Sequence, residues 1–130
     1  MTKGTHMSLN MDDLGLSDDL PLLQLDLLVD VTDGDESLIQ ELLELYVEDV
    51  TTRMADMRKN LEERDYVSAE REAHTIKGSS SNVGALRIQR WAHYFEQELK
   101  NQSAQHVDAL LALFDKEFKE IQQTIAQRYA

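Results

Sequence analysis

The sequence predicts an all-α protein, an antiparallel up-down-up-down four-helix bundle with a short extra N-terminal helix. Three observations predict it. From Leu20 onward the apolar residues recur at steps of three and four. No stretch alternates strictly, as a half-buried strand would. Helix breakers in that region are limited to Pro21 and the glycines at 34, 78 and 84. Long amphipathic segments joined by short links bury their apolar stripes best as antiparallel neighbours, with the short first helix laid across one end.

Each element has its own justification. Met1 to Met7 reads as a cloning scar, and His6 is discounted with it. The rest of the stretch to residue 20 carries Asp12, Asp13, Asp18 and Asp19 with few large apolar residues, as expected of a mobile acidic lead-in. The folded domain is expected over residues 21–130. Pro21 suits the first turn of a short helix through Leu22, Leu23, Leu25, Leu28 and Val29. Thr32-Asp33-Gly34-Asp35 breaks it, and Asp33 or Asp35 can cap the next helix, with Glu36 three residues after Asp33 as in a capping box. That second helix places apolar residues at 39, 42, 43, 46, 50, 54, 57 and 61 and ends near Arg64-Asp65. The third runs from Tyr66 to about Asn82, with Tyr66, Ala69, Ala73, Ile76 and Ser80 on its inner face, and breaks at Asn82-Val83-Gly84. The fourth puts Ile88, Trp91, Ala92, Phe95 and Leu99 on one side and closes at Asn101-Gln102-Ser103. The fifth carries Val107, Leu110, Leu111, Phe114, Phe118, Ile121 and Ile125 at core spacing.

At 130 residues the chain suffices for one domain with a single core. It has no cysteine, which removes disulfides and thiolate metal sites and fits a reducing cytoplasm. The formal net charge of -12 argues against nucleic acid and against an anionic membrane surface. No apolar run approaches the ~20 residues of a membrane span, and no signal-peptide pattern appears. A cytoplasmic monomer is the expectation.

The most informative run is His74-Thr75-Ile76-Lys77-Gly78-Ser79-Ser80-Ser81-Asn82-Val83-Gly84-Ala85. On a helix, residues 74, 77, 78 and 81 share a face distinct from the apolar stripe, so the helix can bury its core side and hold His74 in water. Histidine's ordinary pKa of about 6.5 leaves a large neutral fraction with a free ring lone pair, and a phosphoryl group is a natural electrophile for it. Lys77, one turn on, would neutralise phosphoryl oxygens. Gly78 costs roughly 1 kcal/mol of helix stability relative to alanine and so asks for a reason. A side chain there would lie against the imidazole, whereas glycine leaves the ring reachable. Ser81 is a candidate hydrogen-bond donor to phosphate. Glu70, four residues before His74, and Glu96 on the next helix are the candidate acceptors for the proton on the ring's other nitrogen, and Glu96 is preferred because a packed neighbouring helix fixes it better. Arg87 and Arg90 are candidate partner-surface residues. His93 and His106 lack such a constellation and are expected on the surface.

Other chemistries fail on spacing. A carboxylate-bridged metal bundle needs glutamate three residues before histidine, but Arg71, Arg90 and Ser103 stand at that offset from His74, His93 and His106. No metal site is expected. No clustered glycines could cradle a nucleotide, so the chain is not expected to be a kinase.

The run resembles the histidine-containing phosphotransfer (HPt) family, whose pattern is His, any residue, Leu, Lys, Gly, Ser, Ser or Ala, then an apolar residue, Gly and Ala. His74, Lys77, Gly78, Ser79, Ser80, Val83, Gly84 and Ala85 match it, followed by Ile88, Ala92 and Phe95-Glu96. Leu28-Val29 and Asp33-Gly34-Asp35 resemble the family's approach to its long helix, and the similarity spans residues 22–128. Ile76 replaces the usual leucine, and Ala92 stands where cysteine is common. The resemblance implies that His74 is phosphorylated, with Lys77 its charge partner, Gly78 the access position and Glu96 the ring-orienting group. It implies no cofactor of the chain's own, since magnesium and the acceptor aspartate belong to a response-regulator receiver domain. The implied partners are that receiver and a sensor or hybrid histidine kinase. Two other readings compete. One is a non-catalytic interaction module that binds a receiver without carrying phosphate. The other is the dimerising bundle of a histidine kinase, which Thr75 after His74 and a single proline at 21 disfavour.

Overall fold

A computed structural model describes residues 20–103 and 105–130. The expected cloning scar and all but the last residue of the acidic lead-in therefore lie outside the described residues. Five helices follow in order: α1 (Asp26–Thr32), α2 (Glu36–Glu62), α3 (Tyr66–Val83), α4 (Leu86–Lys100) and α5 (Val107–Arg128), with no strand among the described residues. Cross-helix pairs give the direction of each. Tyr46 meets Ser80 while Arg53 meets Glu72, so α2 and α3 run antiparallel. Arg87 pairs with Glu117 and Glu98 with His106, which makes α4 and α5 antiparallel as well. Glu36 to Arg128 and Tyr46 to Phe118 close α2 against α5. The up-down-up-down bundle is thus present.

The helix ends follow local chemistry. Asp33 (φ 52°) and Gly34 (φ 77°) turn left-handed and stop α1, so the cap of α2 falls to Asp35, whose carboxylate accepts from the Leu38 amide at 3.2 Å. Asp65 caps α3 in the same way, accepting from the Ser68 amide at 3.1 Å. Gly84 (φ 79°) ends α3, and the Ala85 amide returns to the Ser80 carbonyl at 2.9 Å.

The core holds most of the residues anticipated from spacing, although Leu42, Leu61, Tyr66, Val107 and Leu111 are only partly buried at its edge and Leu113 joins it unanticipated. Ile39, Leu43, Val50, Ala69, Ala73, Ile76, Ile88, Trp91, Phe95 and Ile121 are fully buried. Trp91 crosses Phe95 edge-on at 5.3 Å between ring centroids and donates its indole N–H to the Leu110 carbonyl at 2.8 Å. The Tyr46 and Ser80 hydroxyls meet at 2.7 Å inside the α2–α3 seam, and burial there pushes the Tyr46 phenol well above its ordinary pKa despite that bond.

Two local expectations change. The first helix starts at Asp26, not at Pro21. Residues 20–25 instead form a strap over the α3–α4 turn, because their backbone groups are taken by tertiary partners. The Gln24 amide donates to the Gly84 carbonyl at 2.8 Å, and the Leu20 carbonyl accepts from Arg87 Nε at 2.7 Å. His106, expected on the surface, is half-buried, because the α4–α5 turn brings its Nδ1 to 2.7 Å from Glu98 Oε1. His93 is exposed as expected.

Candidate functional site

His74 sits near the middle of α3, turned about 100° from the buried Ala73, and its side chain is 67% exposed. Its Nδ1 lies 2.9 Å from Oε2 of Glu96 on α4. Glu96 itself is almost completely buried, since it belongs to the α4 stripe that contains Ala92, Phe95 and Leu99. Burial pushes the Glu96 carboxyl up, but hydrogen bonding and charge from Lys77 and His74 outweigh that, so it stands below the usual carboxylate range. An ionised carboxylate can only accept. Nδ1 therefore carries the proton, and the lone pair is on Nε2, the other nitrogen of an exposed ring.

Lys77 reaches the same carboxylate, with Nζ 2.7 Å from Oε1. A third group completes the cluster: Lys100 Nζ is 3.6 Å from Oε2. Two ammonium groups thus face one carboxylate beside the imidazole. Sequence reasoning passed over Lys100. Its signal was the spacing of four from Glu96, which puts the two on one face of α4.

Gly78 is exposed, and a Cβ added there would meet nothing within 4 Å. Packing therefore does not explain the glycine, and neither does backbone angle, because the positive-φ glycines are Gly34 and Gly84. What remains is the open surface it leaves one turn from His74.

The other candidates are distributed unevenly. Ser81 is exposed on α3, two turns from His74 and so about 10 Å further along the helix axis. Arg90 is exposed and shares a cleft of about 310 Å³ with Lys77 and Leu20. Arg87 is engaged elsewhere: its Nε holds the strap through Leu20, and Nη1 lies 3.5 Å from the buried Glu117 on α5. Burial and the neighbouring Glu120 push the Glu117 carboxyl up. Glu70 opens with Lys100 onto a second cleft of about 310 Å³ on the other side of the site. No group of three or more metal-ligating side chains occurs among the described residues, and no helix there is long and apolar enough to cross a membrane.

Comparison with known proteins gives concordant results. The family model described as Hpt domain matches residues 41–124. The phosphorelay intermediate protein rdeA of Dictyostelium discoideum is 27% identical over 96 residues, which cover 74% of this chain and 38% of that protein. The chain thus spans well under half the length of this curated relative. Among solved structures, histidine-containing phosphotransfer protein B (HptB) from Pseudomonas aeruginosa PAO1 superposes with a TM-score of 0.76 at 25% identity, covering 83% of this chain and 94% of that one. The HPT domain of a sensor hybrid histidine kinase from Shewanella has the same fold, with a TM-score of 0.64 at 22% identity over 84% of this chain and 94% of that one.

Proposed function

Because the chain belongs to the Hpt domain family, we propose that it is the intermediate of a phosphorelay, with His74 taking a phosphoryl group from the aspartyl phosphate of a receiver domain or from a histidine kinase, and passing it to the aspartate of another receiver. The observation that carries this reading is the Nδ1–Glu96 hydrogen bond under an exposed ring, which leaves Nε2 free to attack. In the forward step the Nε2 lone pair attacks phosphorus in line, and the bond from phosphorus to the aspartyl oxygen breaks. The aspartate leaves as a carboxylate with the electron pair. The ring becomes an Nε2-phosphorylated imidazolium whose Nδ1 proton stays against Glu96, so the carboxylate offsets the charge that develops. The reverse step expels neutral imidazole, which keeps transfer reversible.

Lys77 supplies positive charge for the phosphoryl oxygens, and Gly78 leaves the approach unobstructed. Ser81, Arg87 and Arg90 are proposed for the partner-facing surface, Arg87 through the strap it holds in place. The chain itself is proposed to have no kinase activity and no cofactor, with magnesium supplied by the receiver. It acts as a monomer in the cytoplasm.

Incubation with a phosphorylated receiver tests the reading. Acid-labile, base-stable phosphate should appear on the parental protein and vanish in His74→Gln, while the helical circular-dichroism signal stays unchanged. Label retained by the variant would remove His74 from the role. A parental protein that binds the receiver but takes up no phosphate would instead make the bundle a pure interaction module.

A further inference from the structure

Lys77 is already occupied. Its ammonium lies 2.7 Å from Glu96 Oε1, and its side chain is largely covered. To balance a phosphoryl group on Nε2 it must turn away from that carboxylate. Glu96 would then keep the ring N–H on Oε2 but lose the cation on Oε1, and a carboxylate only 4% exposed with one oxygen left unpaired is unfavourable. Lys100 is placed to answer the need. Its ammonium stands 3.6 Å from Oε2 of the same carboxylate, on a side chain that is 49% exposed. Each lysine opens onto its own cleft of about 310 Å³, so each has room to change position.

We propose that Lys100 is a positioning residue that takes over Glu96 when Lys77 swings to the phosphoryl group, an exchange of ammonium groups on one carboxylate. This rests on the reading that His74 carries phosphate. The charged and titratable groups around the exchange are His74, Lys77 and Glu70 on α3 and Glu96 and Lys100 on α4, with Arg64 and Asp65 at the α2–α3 turn lining the Lys100 cleft and Arg90 and His93 lining the Lys77 cleft. No bond other than those of the transfer itself is made or broken. Lys100 holds Glu96 ionised and oriented on Nδ1 while Lys77 serves the phosphate.

Phosphoramidate, a small-molecule phosphoryl donor, provides a test that needs no partner protein. Lys100→Met should slow labelling of His74 by about fivefold, the scale of a partly exposed ion pair, and Lys100→Arg should restore most of the rate. Thermal unfolding should shift little in either variant. A merely structural lysine would not show the decisive result, which is coupling to Glu96: in a Glu96→Gln background the neutral amide needs no replacement cation, so Lys100→Met should have no further effect on the rate. Equal rates for Lys100→Met and the parental protein would overturn the exchange. So would the same fivefold loss in both backgrounds. Absence of label on the parental protein would remove the phosphotransfer reading itself, and the exchange with it.

Discussion

Replacing Gly78 by alanine separates folding from function at one position. Alanine in a helix interior is favoured over glycine by about 0.5–1 kcal/mol, because glycine loses more backbone freedom on folding. Residue 78 lies well inside α3, has an ordinary helical φ and faces open space within 4 Å of a built Cβ. No clash or lost contact offsets the gain. For a domain of this size the shift corresponds to a melting temperature higher by roughly 2–6 °C. Thermal unfolding followed at the helical circular-dichroism band measures it. Gly78→Gln keeps most of the propensity gain but extends a side chain toward the helix N-terminus, over His74. Labelling of that folded variant by a phosphorylated receiver should then fall on the order of tenfold to a hundredfold, as expected when a reacting protein is held away from the ring. If Gly78→Ala melted at or below the parental temperature, the surface at residue 78 would not be open. If Gly78→Gln accepted phosphate at the parental rate, the glycine would have no part in access.

Gly84→Ala should do the opposite. Residue 84 has φ 79°, and a Cβ there would lie 1.6 Å from the Gln24 carbonyl oxygen, so the strap must move and its hydrogen bond to Gly84 must break. A loss of about 2–4 kcal/mol is expected in urea unfolding, and a midpoint unchanged within error would contradict the strap. Glu96 predicts a pH dependence. Its folded-state pKa is depressed, so the stability it adds is fully present above the unfolded carboxyl pKa and is lost as pH falls through the folded value. The stability gap between the parental protein and Glu96→Gln, measured in urea at pH 7, 5 and 3, should therefore narrow below about pH 4. A gap constant across that range would mean that Glu96 is not held ionised by its neighbours.

Much of this was legible residue by residue. The steps of three and four through 39, 43, 46, 50, 54 and 57 placed α2 and its buried face, and the same arithmetic separated Ala73 and Ile76 from His74. Arg64-Asp65 and Asn82-Val83-Gly84 bracketed α3, because chain breaks and left-handed glycines act within one turn, whereas the cap that Asp65 makes to the Ser68 amide came only with the structure. Pro21 misled, since its fitness for a helix start is local whereas the fate of residues 20–25 depends on Gly84 and Arg87, far along the chain. Arg87 looked like a surface cation for the same reason: nothing near it in sequence announces Glu117 on another helix.

The sequence alone determined that an imidazole, an ammonium and a bare backbone position share one helix face, because the pitch of an α-helix is set by its own backbone and needs no tertiary partner. The tertiary structure decided which carboxylate meets that face, and that Lys77 and Lys100 share it with the ring. Those meetings depend on the rotation and register of α4 against α3. Both are settled only when the Trp91, Phe95 and Ile76 side chains find one close-packed arrangement.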